Sequence, residues 1–140
     1  MPLLVKADLK THQYAEITDE ITRADNTIVT AAILRGEAEA KAYLNRFDIA
    51  AMFVESNTDE FLRGLVKDIV CWHLIKLCNP NINLELFRTI YEDAKNMFKD
   101  IMKGNADPAG WPPRTDDTDM PNDESGHIYA RSNTKRNNHY

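Results

Sequence analysis

The chain has 140 residues, of which 43% are hydrophobic and 28% charged, a balance typical of one globular domain with a real core. A formal net charge of −5 argues against general affinity for duplex DNA, whose phosphates need a clustered basic surface. The sequence holds no run of about 18 apolar residues and no cationic region before its first apolar residues, so neither a membrane span nor a secretory signal is expected.

The first elements in chain order are short helical segments, predicted at 6–12 and 15–23. Asp25 or Asn26 can then cap a long helix that runs to about Asn45, because short polar side chains accept hydrogen bonds from the first amides of a helix. The apolar positions of this long helix recur at helical spacing. They are Val29, Ile33, Ala40, Tyr43, Leu44 and Phe47.

Within the long helix, Gly36 lies among several alanines, so a second helix could approach closely there. After it, Asp48 can cap a short helix at 49–54. A polar break follows, in which Thr58 or Asp59 can cap the next helix.

The next two helices, predicted at 59–78 and 84–104, form the centre of the fold. The first is apolar nearly all round from Ile69 to Leu77, which indicates burial. Pro80 ends it, and we expect the pair to pack antiparallel with Trp72 and Phe98 largely buried. The second has a stripe with alternating steps of three and four, which fits an intradomain core better than an oligomer seam. The stripe consists of Leu84, Phe87, Tyr91, Ala94, Phe98 and Ile101.

The composition changes after Gly104, which predicts a helical domain at 1–104 followed by an extended, irregular C-terminal arm at 105–140. The arm holds four of the six prolines and few aliphatic residues, so it cannot bury enough apolar surface to fold alone. Residues 105–126 carry six acidic and one basic side chain, whereas 127–140 carry three basic and no acidic ones. We expect the arm to be mobile in the free subunit and to dock on a partner through a few anchors. The predicted partner-binding residues are Trp111, Ile128, Tyr129, Arg131, Lys135, Arg136, His139 and Tyr140.

Two cysteines and a histidine in one helix raise the question of a metal site or a disulfide. Cys71 and Cys78 are seven residues apart, about 10.5 Å along a helix, which is too far for a disulfide. Cys71 and His73 point about 200° apart, so they cannot share a metal ion without distortion. We therefore expect buried, reduced thiols and a structural role for His73.

The sequence offers no convincing active site. Glu92, Asp93 and Asp100 could be regarded as a carboxylate cluster, but the first two face away from the apolar stripe and fit a solvated surface. No phosphate-binding loop, Cys-x-x-Cys pair, His-Glu-x-x-His motif or nucleophile signature occurs. The prediction is an all-α interaction protein of about four to five helices, with no enzymatic activity, cofactor or metal.

Two stretches resemble the small all-helical head–tail connector, or adaptor, proteins of Mu-type phages and prophages. They are "LRGEAEAKAYLNRFDI" (34–49) and "LVKDIVCWHLIKLCNPNINLELFRTIYEDAKNMFKDIMKGNA" (65–106). The ending "RSNTKRNNHY" is similar to the tails of Bacteroides-type prophage members. The resemblance covers about 1–106 as the domain and the tail more loosely.

The resemblance implies a structural subunit in the phage neck. Such proteins form a homo-oligomeric ring, typically dodecameric, that joins the portal protein to a stopper or tail-completion protein. It also implies a place in the virion, with host cytoplasm during assembly, and contacts to the portal through terminal or loop arms. From the composition of 105–140 we expect this C-terminal arm to lie across a neighbouring subunit or the portal.

Two other functions stay open from the residues alone. The first is a small helical regulatory or adaptor protein whose C-terminal tail docks on one partner, which predicts a monomer or dimer. The second, a nucleic-acid binder through the basic tip, is weaker, because three cations give only a shallow dependence on salt. Sequence-specific nucleic-acid binding is not expected.

Overall fold

A computed structural model describes residues 2–77 and 83–115. Over these ranges the chain forms six helices and no strand, apart from one isolated bridge between Phe47 and Pro113. The predicted all-α class is therefore confirmed. The helices are a 3-10 helix at Lys6–Thr11, α1 at Ala15–Thr22, α2 at Asn26–Tyr43, α3 at Ile49–Met52, α4 at Glu60–Ile75 and α5 at Leu84–Lys103.

Short polar side chains start four of the helices, largely as the sequence predicts. Asp25, Asp48, Asp59 and Asn83 each accept a hydrogen bond from a backbone amide in the first turn of the helix that follows, at 2.8–3.3 Å. Gly104 ends α5 in the left-handed conformation, with φ of 82°, which suits a residue without a Cβ. α4 ends at Ile75, three residues before the predicted boundary, and most of the expected Asn-Pro turn lies outside the described residues.

The centre of the molecule is the crossing of α2 and α4. A Cβ built on Gly36 would lie 2.5 Å from Cγ2 of Val70, so the two helices are closer than any side chain at position 36 allows. This confirms the close approach predicted for Gly36. Ile69, Val70 and Leu74 are fully buried around the crossing.

α4 and α5 pack antiparallel, as predicted. The Trp72 ring stacks on Tyr91 at a centroid distance of 5.5 Å, and Asp59 at the start of α4 bonds the chain just after α5. Phe98 is fully buried, as expected, and Trp72 is partly buried, with its ring stacked on Tyr91.

Buried ionic groups hold the N-terminal segment against α2 and α4. The buried Glu37 accepts a bond from the Leu4 amide at 3.1 Å, and Arg63 donates to the Leu3 carbonyl at 3.0 Å. Lys67, also buried, donates to Thr11 Oγ1 at 3.1 Å. These bonds fix the 3-10 helix along α4. In the described part of the chain, no helix is both long enough and apolar enough to cross a membrane.

Candidate interaction surface

The two ends of the α4–α5 hairpin differ in how they are covered, and the first is closed by Trp111. The Trp111 side chain packs edge-to-face on Phe47 at 5.3 Å and lies 6.1 Å from the Phe61 ring. Its indole Nε1 donates to Asp59 Oδ2 at 2.6 Å. Trp111, which the sequence predicts to anchor an arm to a partner, is only 8% exposed and packs into the core of its own chain.

Backbone bonds hold the rest of 105–115 against the loop that follows α2. The Asp48 amide donates to the Pro112 carbonyl at 3.0 Å, and the Arg114 amide to the Arg46 carbonyl at 2.9 Å. The Arg46 guanidinium also donates to the Ala106 carbonyl at 3.3 Å. The chain from 105 to 115, beyond the predicted boundary at residue 104, therefore packs on the helical domain. We call this covered region the closed end.

The opposite end of the hairpin leaves large apolar side chains in solvent. Leu77 is 57% exposed, Leu84 38% and Leu86 55%. Leu77 was expected to be buried, but it lies two residues beyond the end of α4, where no described element covers it. We call the end of the hairpin marked by these three leucines the open end.

The apolar stripe of α5 runs from one end to the other. Its second half, with Ala94, Phe98 and Ile101, is buried, as expected for an intradomain core. Its first half is not, since Leu84 is exposed and Phe87 only half-buried. The same periodic pattern therefore continues from core to surface.

A polar cluster joins three helices beside the stripe. Glu39 of α2 accepts from the Tyr91 hydroxyl at 2.6 Å and pairs with His73 Nε2 at 2.9 Å. Lys76 Nζ lies 3.2 Å from His73 Nδ1, so the ring accepts there and donates through Nε2. Burial lowers the pKa of His73 below 6.5 and raises that of Tyr91. Because both ring nitrogens of the buried His73 lie within hydrogen-bond distance of neighbouring side chains, His73 connects α4 to α2, which matches its expected structural role.

The remaining candidates for chemistry do not assemble into a site. Glu92 and Asp93 are exposed, and Glu92 pairs with Arg88 at 3.1 Å one turn away, as a solvated face requires. Burial raises the pKa of the Cys71 thiol to about 12, which keeps it protonated; Cys78 lies outside the described residues. Within the described ranges, no group of three or more His, Cys, Asp or Glu side chains could hold a metal ion.

The structure places only one of the predicted partner-binding residues. The others lie outside the described residues: Ile128, Tyr129, Arg131, Lys135, Arg136, His139 and Tyr140. Sequence reasoning missed the open end, although Leu86 carried a signal, because it is a large apolar residue that stands off the α5 stripe.

Comparison of the chain with protein-family models, curated proteins and solved structures found no match in any of the three. The resemblance to head–tail connectors thus rests on the quoted stretches alone. Within residues 2–77 and 83–115, the helical fold leaves several large apolar side chains exposed at the open end.

Proposed function

We propose that this chain is a structural subunit of a ring of the head–tail connector type, which joins a portal protein to a stopper or tail-completion protein in a phage or prophage neck. We propose no enzymatic activity for the chain. Its support is the resemblance of 34–49 and 65–106 to connector proteins, combined with large apolar side chains that no described segment covers at the open end of the helical domain.

The observation that carries the proposal is the exposure of Leu77, Leu84 and Leu86 at the open end. Single exposed apolar residues are ordinary, but three large ones at the same end of two packed helices, with Leu84 and Leu86 on different sides of α5, favour contacts at that end. A second copy of the chain is the occupant that a ring requires. On this proposal the open end of each subunit packs on its neighbour.

The chain beyond Thr115 would supply a second contact. Its 25 residues could span about 80 Å when extended, which is enough to reach an adjacent subunit or the portal. Its tip carries Arg131, Lys135 and Arg136, which would favour an acidic surface. In this proposal the helical domain packs sideways and the arm reaches across.

The test is the mass of the purified full-length chain, measured by light scattering and native mass spectrometry over a range of concentrations. We expect a closed oligomer, with a ring visible by electron microscopy. Leu86→Ser should weaken it by placing a hydroxyl at the contact. Leu34→Ser is the matched control, because Leu34 is 54% exposed and belongs to α2, not to the α4–α5 hairpin.

A chain that stays a monomer or dimer would favour the alternative of a small regulatory or adaptor protein. If the wild-type chain stays a monomer or dimer at every concentration, with and without a portal protein, the ring proposal fails. If Leu34→Ser disrupts the ring and Leu86→Ser does not, the ring stands but the open end is not its contact.

A further inference from the structure

Gln13 is a buried side chain whose polar atoms have no partner. It is 5% exposed and follows the 3-10 helix, and neither its Nε2 nor its Oε1 forms a hydrogen bond with any described residue. A buried amide in this state costs free energy, and most buried polar groups in proteins are paired. Gln13 therefore carries one unsatisfied donor and one unsatisfied acceptor, which a ligand with both groups would satisfy.

Gln13 lies between two adjoining surface grooves and lines both. The first groove, about 510 Å³, has apolar walls from Ile17, Ile75 and Phe87, at the same end of the hairpin as the exposed leucines. The second, about 420 Å³, runs along the 3-10 helix. The two share Lys10 as well as Gln13, so they form one track across the start of α1.

The residues that line this track favour one chemical class of ligand. A side-chain amide that offers one N–H and one carbonyl matches a peptide group, which offers the same pair in return. The apolar walls favour an aliphatic or thioether side chain. The charged lining residues are Lys6 and Lys10, of which Lys6 already pairs with Asp19 at 2.6 Å, and no described lining residue is acidic. An extended, acidic peptide with an apolar residue inside it fits these features.

The chain contains such a segment. Residues 116–124, "DDTDMPNDE", carry five carboxylates and no basic side chain, with Met120 at the centre. Met is unbranched and fills irregular apolar grooves well. Pro121 follows it and favours an extended backbone at Met120.

Geometry favours a second copy over the same chain as the source. Thr115 lies at the closed end, beside Phe47 and Asp48. The groove lies at the other end of α4, which is about 24 Å long. Five residues from Thr115 to Met120 span at most about 17 Å. Because five residues are shorter than α4, Met120 of one copy is not expected to reach the Ile75 and Phe87 groove of the same copy, whereas a neighbouring copy has no such limit.

We infer that residues 116–124 of one copy bind as an extended strand in the track around Gln13 of the next copy, with Met120 between Ile17, Ile75 and Phe87. The Gln13 amide pairs with a peptide group of the segment, and Lys10 faces its carboxylates. This inference rests on the proposed self-assembly and names the contact that the acidic part of the arm makes within it.

The first experiment measures the affinity of a fluorescent peptide, residues 115–125, for the full-length chain by anisotropy. Gln13→Met keeps the size of the side chain and removes both polar groups, so we expect about tenfold weaker binding or more. Gln13→Met should not lower the melting temperature of the chain, because the substitution removes a buried amide that has no hydrogen-bond partner. Lys10→Glu, a surface change that keeps the fold, should weaken binding most at low salt.

Matched peptides separate this site from others. The Met120→Ser peptide should bind at least about tenfold more weakly, because it lacks the thioether side chain that packs against the apolar walls of the groove. The basic peptide 127–140 should not compete. If the wild-type peptide does not bind, or binds Gln13→Met and Lys10→Glu as well as the wild-type chain, the inference is overturned.

The second experiment tests the source of the segment. A photo-crosslinking amino acid at position 120 of the full-length chain, in a mixture of ¹⁴N- and ¹⁵N-labelled protein, should give mixed-mass crosslinks to the Gln13 region. Crosslinks within single chains only would overturn the assignment to a neighbour. Because peptide binding does not require a ring, a ring without peptide binding defeats this inference alone, and peptide binding to a persistent monomer defeats the ring proposal.

Discussion

The closed and open ends of the α4–α5 hairpin differ in whether a described segment packs over them. At the closed end, Phe47 is buried against Trp111, which the chain brings back after α5, while the neighbouring Phe61 stays 46% exposed. At the open end, Leu77 and Leu86 face solvent in the described structure. The difference is not one of hydrophobicity, because both ends are apolar.

The difference is whether the chain supplies its own cover. The glycines at 104 and 110 have φ of 82° and 80°, which turn the chain back over the closed end. The open end receives no such segment from the described residues. The apolar end of a helix pair can be covered by a segment of the same chain or by a second chain. Substitutions at the two ends of the hairpin should distinguish these cases.

The largest effect should come from Trp111→Ala at the closed end. It removes a buried indole and leaves Asp59 Oδ2 without its 2.6 Å partner, so we expect a loss of about 3–5 kcal/mol in the free energy of unfolding. Urea denaturation followed by circular dichroism measures it. Tyr14→Ala is the control, since that ring is largely exposed and should change stability by about 0.5 kcal/mol or less. A cost below about 1 kcal/mol for Trp111→Ala would mean that the cover is not part of the core.

A smaller effect is expected at the helix crossing between the two ends. Gly36→Ala forces a methyl group against Val70 and should cost about 1–3 kcal/mol. Gly64→Ala is the matched control, because a Cβ there meets nothing within 4 Å, and it should stabilise α4 by about 0.5–1 kcal/mol. Equal effects of the two substitutions on the melting temperature would contradict the close approach of α2 and α4.

Local patterns predicted the helices well, because their causes are local. Asp25, Asp48 and Asp59 cap the helices that the sequence assigned to them, and Gly36 marks the crossing. These features depend on spacing along one helix, which the sequence displays directly.

The cover of the closed end could not be predicted in the same way. The composition of 105–115 is rich in proline and poor in aliphatic residues, which is typical of an irregular segment. One tryptophan and a few backbone bonds nevertheless hold it, and those contacts depend on residues about 50 to 70 positions earlier in the chain. The pairing state of Gln13 also depends on the assembled structure, and no sequence pattern indicates it.

A moderate, pH-dependent effect should come from Asp68, which lies on α4 between the two ends. Burial raises the pKa of this carboxyl from 3.8 to about 6, so the folded protein holds the proton more tightly than the unfolded chain. Stability should therefore fall as pH rises from about 4 to about 6 and stay lower above that range. At pH 8 the nearby His12, 3.4 Å away with its own pKa lowered by burial, is neutral and does not offset the charge.

Asp68→Asn tests this effect, because asparagine stays neutral at every pH. The variant should be as stable as the wild type near pH 4 and more stable by about 1–2 kcal/mol at pH 8. This gain is smaller than a full shift of two pKa units would give, because the carboxyl keeps some solvent contact. Thermal unfolding from pH 4 to 8 measures the difference. Asp93→Asn, on the exposed face of α5, is the control and should show no such trend. A difference that shrinks as pH rises would reverse the assigned sign.

The smallest effect on the stability of the isolated subunit should come from Leu86→Ala at the open end. Since Leu86 is half in solvent already, truncation removes little buried surface, and the change at high dilution should stay within about 0.5 kcal/mol. Leu74→Ala, on a fully buried leucine of α4, is the contrast and should cost about 2–5 kcal/mol. The decisive measurement is the dependence on protein concentration, because association stabilises a folded chain by mass action. The melting temperature of the wild type should rise with concentration, and that of Leu86→Ala should rise less. If the two curves stay parallel from dilute to concentrated protein, the leucines of the open end contact no second copy, and the contrast between the ends is one of exposure without association.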